Sequence, residues 1–125
     1  MTAKEMMTTQ VMTIKPTATI KEAMNLLVGI EISGLIVTDQ NDDIVGVVTE
    51  RDLLVAYDFL SQTMAPISDY MNKNIISVDE DTSFQEISKL LMKGDIRRVP
   101  VVRGKKVVGV ISRRDLLKAI LKKHD

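Results

Sequence analysis

The chain is written twice. Lys4 to Ile14 (KEMMTTQVMTI) lies over Ser68 to Val78 (SDYMNKNIISV), and ATIKEAMNLL lies over TSFQEISKLL at the same offset of 64. SGLIVT (Ser33 to Thr38) lies over RRVPVV (Arg97 to Val102). One residue drops out of the next turn, and Ile44 to Ala56 (IVGVVTERDLLVA) then matches Val107 to Ala119 (VVGVISRRDLLKA) at an offset of 63. A match in order, over nearly the whole chain and with one gap, means one structural unit used twice.

Each copy predicts strand–helix–strand–strand–helix. Val11 to Ile14 is extended. Ile20, Ala23, Met24 and Leu27 recur at helical spacing, as do Phe84, Ile87, Leu90 and Leu91 in the second copy. Thr19 and Ser83 suit the cap positions of these helices. Leu35–Val37 and Ile44–Val48 read as strands joined by TDQNDD, and Val99–Val102 and Val107–Ile111 as strands joined by RGKK, both with hairpin-turn residues. A second helix opens near Thr49 and again near Ser112. The runs LIV, IVGVV and VVGVI are apolar enough for strands buried on both faces. Residues 58–67 link the copies. About 60 residues bury too little surface to be stable alone, so the expectation is an α+β fold of two copies packed sheet to sheet about a pseudo-twofold axis.

Composition removes several functions. The 125 residues contain no Cys and one His, His124, beside the C-terminus. Disulfides, thiolate metal centres, a Cys nucleophile and a Ser-His-Asp triad are therefore not expected. Aromatic residues are 3%, too few for base-stacking platforms. There is no apolar stretch long enough to span a bilayer and no signal-peptide core behind MTAKEMM, which points to a cytoplasmic chain. The net charge of zero conceals an asymmetry. Residues 1–62 hold 4 Lys/Arg against 9 Asp/Glu, and residues 63–125 hold 13 against 8. This is either ordinary variation on solvated faces or a second half that handles an anion or pairs with the first half of another chain.

Thr49-Glu50-Arg51-Asp52 and Ser112-Arg113-Arg114-Asp115 are the most informative motifs. A hydroxyl followed three residues later by an acid is a capping box. The same geometry sets a hydroxyl and a carboxylate at a helix N-terminus, where anions are favoured and where two carboxylate oxygens suit two adjacent sugar hydroxyls. Arg51 and Arg114 lie in a helix's first turn, unfavourable for a cation unless an anion is near. Arg97 and Arg98 precede Val99 and are either solvated or available to a phosphate. Gly46 and Gly109, inside apolar strands, mark either tight packing or ligand clearance. No phosphate-loop pattern is present. The eight Met residues read as core filler.

These segments resemble the CBS-domain family, two of whose motifs in tandem form a Bateman module. The resemblance covers residues 4–57 and 68–121 and rests on the MT-like start, SGLIV and RRVPVV, and above all GVVTERDLL and GVISRRDLL. It implies a non-catalytic regulatory module binding AMP, ADP, ATP or a related adenosyl ligand such as S-adenosylmethionine between the two motifs, with no resident cofactor. It also implies assembly as a homodimer and a regulated protein partner. Carried over by motif, Asp52 and Asp115 hold ribose, and Met12, Thr13, Ile76 and Ser77 hold the adenine edge through backbone groups. One cleft then joins Thr49, Arg51 and Asp52 to Ile76, Ser77, Arg97, Arg98 and Val99. The other joins Ser112, Arg114 and Asp115 to Met12, Thr13, Gly34 and Leu35. Ile36 departs from the family's usual Pro, present as Pro100 in the second copy, so the two clefts are expected to differ. The one with Arg97 and Arg98 is expected to favour the more phosphorylated ligand. A ligand-free dimerisation or protein-interaction module is the competing function, and nucleic-acid binding through the basic half is a third, without a helix-turn-helix signature.

Overall fold

A computed structural model of the chain describes residues 1–32, 34–94 and 96–125. Ser33, which opens the SGLIVT segment, lies outside them. In order the elements are α1 (Ala3–Met6), β1 (Thr13–Ile14), α2 (Ile20–Ile30), β2 (Gly34–Thr38), β3 (Ile44–Thr49) and α3 (Glu50–Leu60). After a 3₁₀ turn (Ile67–Asp69) come β4 (Val78–Asp79), α4 (Phe84–Leu91), β5 (Arg98–Arg103), β6 (Lys106–Ser112) and α5 (Arg113–Lys123). The duplicated strand–helix–strand–strand–helix pattern is present in the expected order.

The side-chain chemistry explains the boundaries. The Thr19 and Ser83 hydroxyls accept the amides of Glu22 (3.1 Å) and Glu86 (3.2 Å) and start α2 and α4 as their positions predict. Glu31 and Ser61 end α2 and α3 in the left-handed region, at φ 59° and 53°. The β5–β6 turn places Gly104 at φ 64°, where a glycine is unstrained. The β2–β3 turn uses Asp42 at φ 64° instead, and Lys15 Nζ ties it down through Asp42 Oδ1 (3.3 Å) and the Asp39 carbonyl (2.7 Å).

The two sheets have orders β1-β2-β3 and β4-β5-β6, each with a parallel pair followed by an antiparallel pair. The central strands meet the expectation of burial on both faces, since Leu35, Ile36, Val37, Val99 and Val101 are all buried. The flanking strands β3 and β6 differ, because along them buried and half-buried residues alternate as on an edge strand. The copies also differ where β4 begins. Thr13 pairs with Ile36, but its counterpart Ser77 is outside β4, which starts with Val78 paired to Val101. The residue equivalent to Ile36 is Pro100, which has no N–H to place in a ladder.

The chain divides into two compact bodies that are offset from the repeats. One is Met12–Ile75; the other is Met1–Val11 with Ile76–Asp125. The leader of each repeat thus folds onto the other repeat's strands and helices. In the second body, Ala3 and Lys4 donate to the carbonyls of Thr82 (2.9 Å) and Glu80 (3.0 Å), and Thr8 and Val110 exchange two backbone bonds. In the first, Ile67 and Ser68 donate to Ala18 (2.8 Å) and Pro16 (3.1 Å), and Asn72 and Val47 exchange the matching pair. Each body has its own core. Ile20, Ala23, Leu27, Leu35, Val37, Val48, Leu53, Ala56 and Ile67 fill one. Ala3, Met6, Val78, Ile87, Leu91, Val99, Val101, Ile111 and Leu116 fill the other.

Gly46 and Gly109 are explained by this docking. A Cβ on Gly46 would lie 2.7 Å from Met71 Sδ, and one on Gly109 would run into the Met7 side chain. Packing against the leaders, rather than clearance for a ligand, accounts for both glycines.

The stretch joining the repeats is therefore structural. The carbonyls of Thr63 and Ala65 accept from Lys21 and Ile20, and Ile67 is wholly buried. We expect Ile67→Ala to cost about 2–4 kcal/mol in chemical denaturation, as for a core residue. A cost below about 0.5 kcal/mol, the usual size for a surface loop, would contradict this packing.

Candidate functional site

Strand direction determines which residues meet. In the body Met12–Ile75, β1 and β2 start at the same end and antiparallel β3 finishes there. Gly34 is therefore the register partner of Thr49, and Thr13 lies beside Ile36. α3 opens at that end, bringing Asp52 and Arg51 to the strand starts that carry Met12, Thr13, Gly34 and Leu35. In the other body Arg98 is the register partner of Ser112, and α5 opens beside them with Arg114 and Asp115. Ile76 and Ser77 lead into β4 at the same end. All fifteen candidate residues thus fall at these two strand ends. The register groups them by body, whereas each cleft expected from the resemblance takes its residues from both.

The two helix starts share one device. Asp52 Oδ2 accepts the Thr49 amide (2.8 Å) and hydroxyl (3.0 Å), and the Asp52 amide donates back to Thr49 Oγ1 (3.3 Å). Asp115 Oδ2 accepts the Ser112 amide (2.8 Å) and hydroxyl (3.1 Å). The capping box predicted from sequence is present twice, and it uses one oxygen of each carboxylate. The other oxygens differ. Asp115 Oδ1 accepts the Thr8 hydroxyl at 2.9 Å. Asp52 Oδ1 has no hydrogen-bond donor among the described residues.

The side chains divide by exposure. Leu35 and Val99 are buried, so only their backbone groups can meet a ligand. Met12, Ile76, Ser77, Arg51, Arg97 and Arg114 are exposed, and Thr13, Gly34, Asp52, Ser112 and Asp115 are half-buried. Arg98 is half-buried, and its Nε is enclosed with no hydrogen-bond partner among the described residues. Burial pushes its guanidinium below the ordinary range, and the Asp115 charge opposes that shift. An enclosed, unpaired guanidinium nitrogen is costly unless an acceptor reaches it.

Thr8 was not among the residues singled out from sequence. Its bond to Asp115 spans 107 positions, beyond any local spacing rule. The only sequence cue is a break in the repeat, Thr8 against Asn72. Among the described residues there is no cluster of three or more His, Cys, Asp or Glu arranged to hold a metal ion, and no helix long and apolar enough to cross a membrane.

Comparison with known proteins agrees with the duplicated fold. The sequence profile of the CBS domain matches residues 3–58 and 67–122. The crystal structure of CBSX2 from Arabidopsis thaliana in complex with AMP superposes with a TM-score of 0.88 at 29% identity, covering 99% of this chain and 98% of that one. The CBS-domain pair of MJ0100, crystallised with 5′-methylthioadenosine and S-adenosyl-L-methionine, superposes with a TM-score of 0.80 at 27% identity, covering 98% of both chains. Inosine-5′-monophosphate dehydrogenase of Methanocaldococcus jannaschii is 32% identical over 117 residues, 93% of this chain but 23% of the enzyme.

The capping role has its own test. Thr49→Ala and Ser112→Ala should each lower stability by about 1 kcal/mol, measured without ligand by urea denaturation. No loss in either variant would mean that the helix starts do not depend on these boxes.

Proposed function

The chain belongs to the CBS-domain family, and from that membership and the geometry above we propose that it is a non-catalytic regulatory module that binds an adenosyl ligand at the openings of α3 and α5. The carrying observation is Asp52. Its Oδ2 is held by the capping box, which fixes the carboxylate, and its Oδ1 has no hydrogen-bond donor among the described residues. An oxygen with two open lone pairs suits the two hydroxyls of a ribose. Each body offers a cation to a phosphate: Arg51, exposed, in one, and in the other the exposed Arg97 and the Arg98 Nε, which has no hydrogen-bond partner among the described residues. Complexes of CBSX2 with AMP and of the MJ0100 pair with methylthioadenosine and S-adenosylmethionine support the ligand class.

The partial match to inosine-5′-monophosphate dehydrogenase fits a regulatory piece better than a reaction centre. No resident cofactor is needed. Ligand binding to the folded chain biases its docking to a second copy or to a regulated protein. A homodimer is supported by apolar side chains left exposed on both second helices, Leu54, Val55 and Phe59 on α3 and Leu117 and Leu121 on α5.

The first test is thermal unfolding with AMP, ATP and S-adenosylmethionine at millimolar concentration. At least one ligand should raise the midpoint, by about 2.7 kcal/mol of stabilisation at a hundredfold excess over Kd. Asp52→Asn should weaken that ligand roughly tenfold or more by calorimetry. Absence of a shift with all three would favour a ligand-free interaction module. The cations have a separate test. Arg97→Ala/Arg98→Ala should reduce ATP affinity more than AMP affinity, and equal affinities before and after substitution would remove their phosphate role.

A further inference from the structure

We propose that Thr8 is a latch on Asp115, so that the ribose diol of an adenosyl ligand occupies Asp52 freely but engages Asp115 through both hydroxyls only by displacing the Thr8 hydroxyl. This rests on the ribose-binding reading above and adds an order of occupancy to it.

The two carboxylates are not equally committed. Asp115 accepts three protein hydrogen bonds, from the Ser112 amide and hydroxyl on Oδ2 and from Thr8 Oγ1 on Oδ1. Among the described residues Asp52 accepts two, both on Oδ2. A carboxylate offers about four lone-pair positions, so Asp52 keeps two on one oxygen while Asp115 keeps one. A vicinal diol brings two donors and fits Asp52 without rearrangement. At Asp115 it must bind through one hydroxyl or expel Thr8.

Thr8 is held where it blocks. Its amide donates to the Val110 carbonyl (2.9 Å), and its carbonyl accepts the Val110 amide (3.0 Å). Met7, next in the chain, fills the notch that Gly109 leaves in β6. The hydroxyl therefore meets Asp115 with its backbone already ordered, at little further entropic cost. It is also exposed, so once displaced it can bond water. The contact yields to a better donor rather than excluding it.

The other body lacks the latch although its leader docks identically. Asn72 takes the place of Thr8 and exchanges the same two backbone bonds with Val47, at 3.0 and 2.8 Å. Its side-chain carbonyl instead accepts the Asn74 amide at 2.9 Å, in a local turn. One substitution between the repeats thus separates a carboxylate with a free oxygen from one whose second oxygen is engaged.

The test is calorimetric titration of the full chain with AMP. In an Asp52→Asn background, which isolates Asp115, Thr8→Val should raise affinity roughly three- to tenfold, the worth of one exposed hydrogen bond to a charged acceptor. Thr8→Ser, which keeps the hydroxyl, should bind as the background does. In the reciprocal Asp115→Asn background, Asn72→Thr should weaken AMP at Asp52. Equal, weaker or undetectable binding in both Thr8→Val and the background would overturn the latch. AMP binding by the chain with Asp52 intact would in that case leave the functional reading standing. Absence of AMP binding in every variant, including those with Asp52 intact, would overturn both.

Discussion

The capping boxes at Thr49 and Ser112 are the interaction on which the remainder of the structure depends. At each of these residues an edge strand stops and a helix begins with its first amides unpaired. The Asp three residues on turns back to the cap residue's amide and hydroxyl, and a negative charge there also suits the helix dipole. The junction fixes the angle at which α3 and α5 leave their sheets, and hence which faces reach Leu53, Ala56 and Leu116 in the cores. It also aims each carboxylate. Capping and the proposed ligand binding are not rival roles for Asp52, because the box uses Oδ2 and leaves Oδ1 without a donor among the described residues.

The second constraint is size. One central apolar strand, its two flanking strands and two amphipathic helices bury little in a body of about 60 residues. The exchanged leaders add to both bodies. Ala3, Met6 and Ile67 contribute fully or almost fully buried side chains. The bridges Thr8–Val110 and Asn72–Val47 cover edge-strand groups that would otherwise stand open. The Met7 and Met71 side chains require glycine at 109 and 46, so glycines in apolar strands and methionines in polar leaders are two halves of one packing solution.

Most of the architecture was legible in the amino-acid order because it is local. Helix periodicity, the Thr19, Ser83, Thr49 and Ser112 caps and the turn residues each act over three or four positions, and all appear where their spacing puts them. The candidate residues could be gathered at strand ends for the same reason, since a hairpin's register follows from its turn. What was not legible is carried by contacts far apart in the chain. Nothing within a short window says that Ala3 belongs beside Thr82, that Ile67 is core, or that the Thr8 hydroxyl reaches Asp115. The family pattern did not supply these either, because it aligns repeats to each other and the leaders cross between them.

Two departures from repeat symmetry fall at the site and act in one direction. Arg98 stands where the other copy has Gly34, each the register partner of its helix-capping residue. Thr8 stands where the other has Asn72. In one body the carboxylate therefore has Ser112, the Thr8 hydroxyl and the field of Arg98 around it. In the other, among the described residues, it has the Thr49 amide and hydroxyl on one oxygen. The first is an acceptor engaged on both oxygens beside an underused cation, and the second is an acceptor held through one oxygen. A duplicated fold uses both capping boxes, so both carboxylates serve stability. It does not require them to be equally accessible, and the residues that make them unequal lie outside the boxes, where they can vary without loosening either helix.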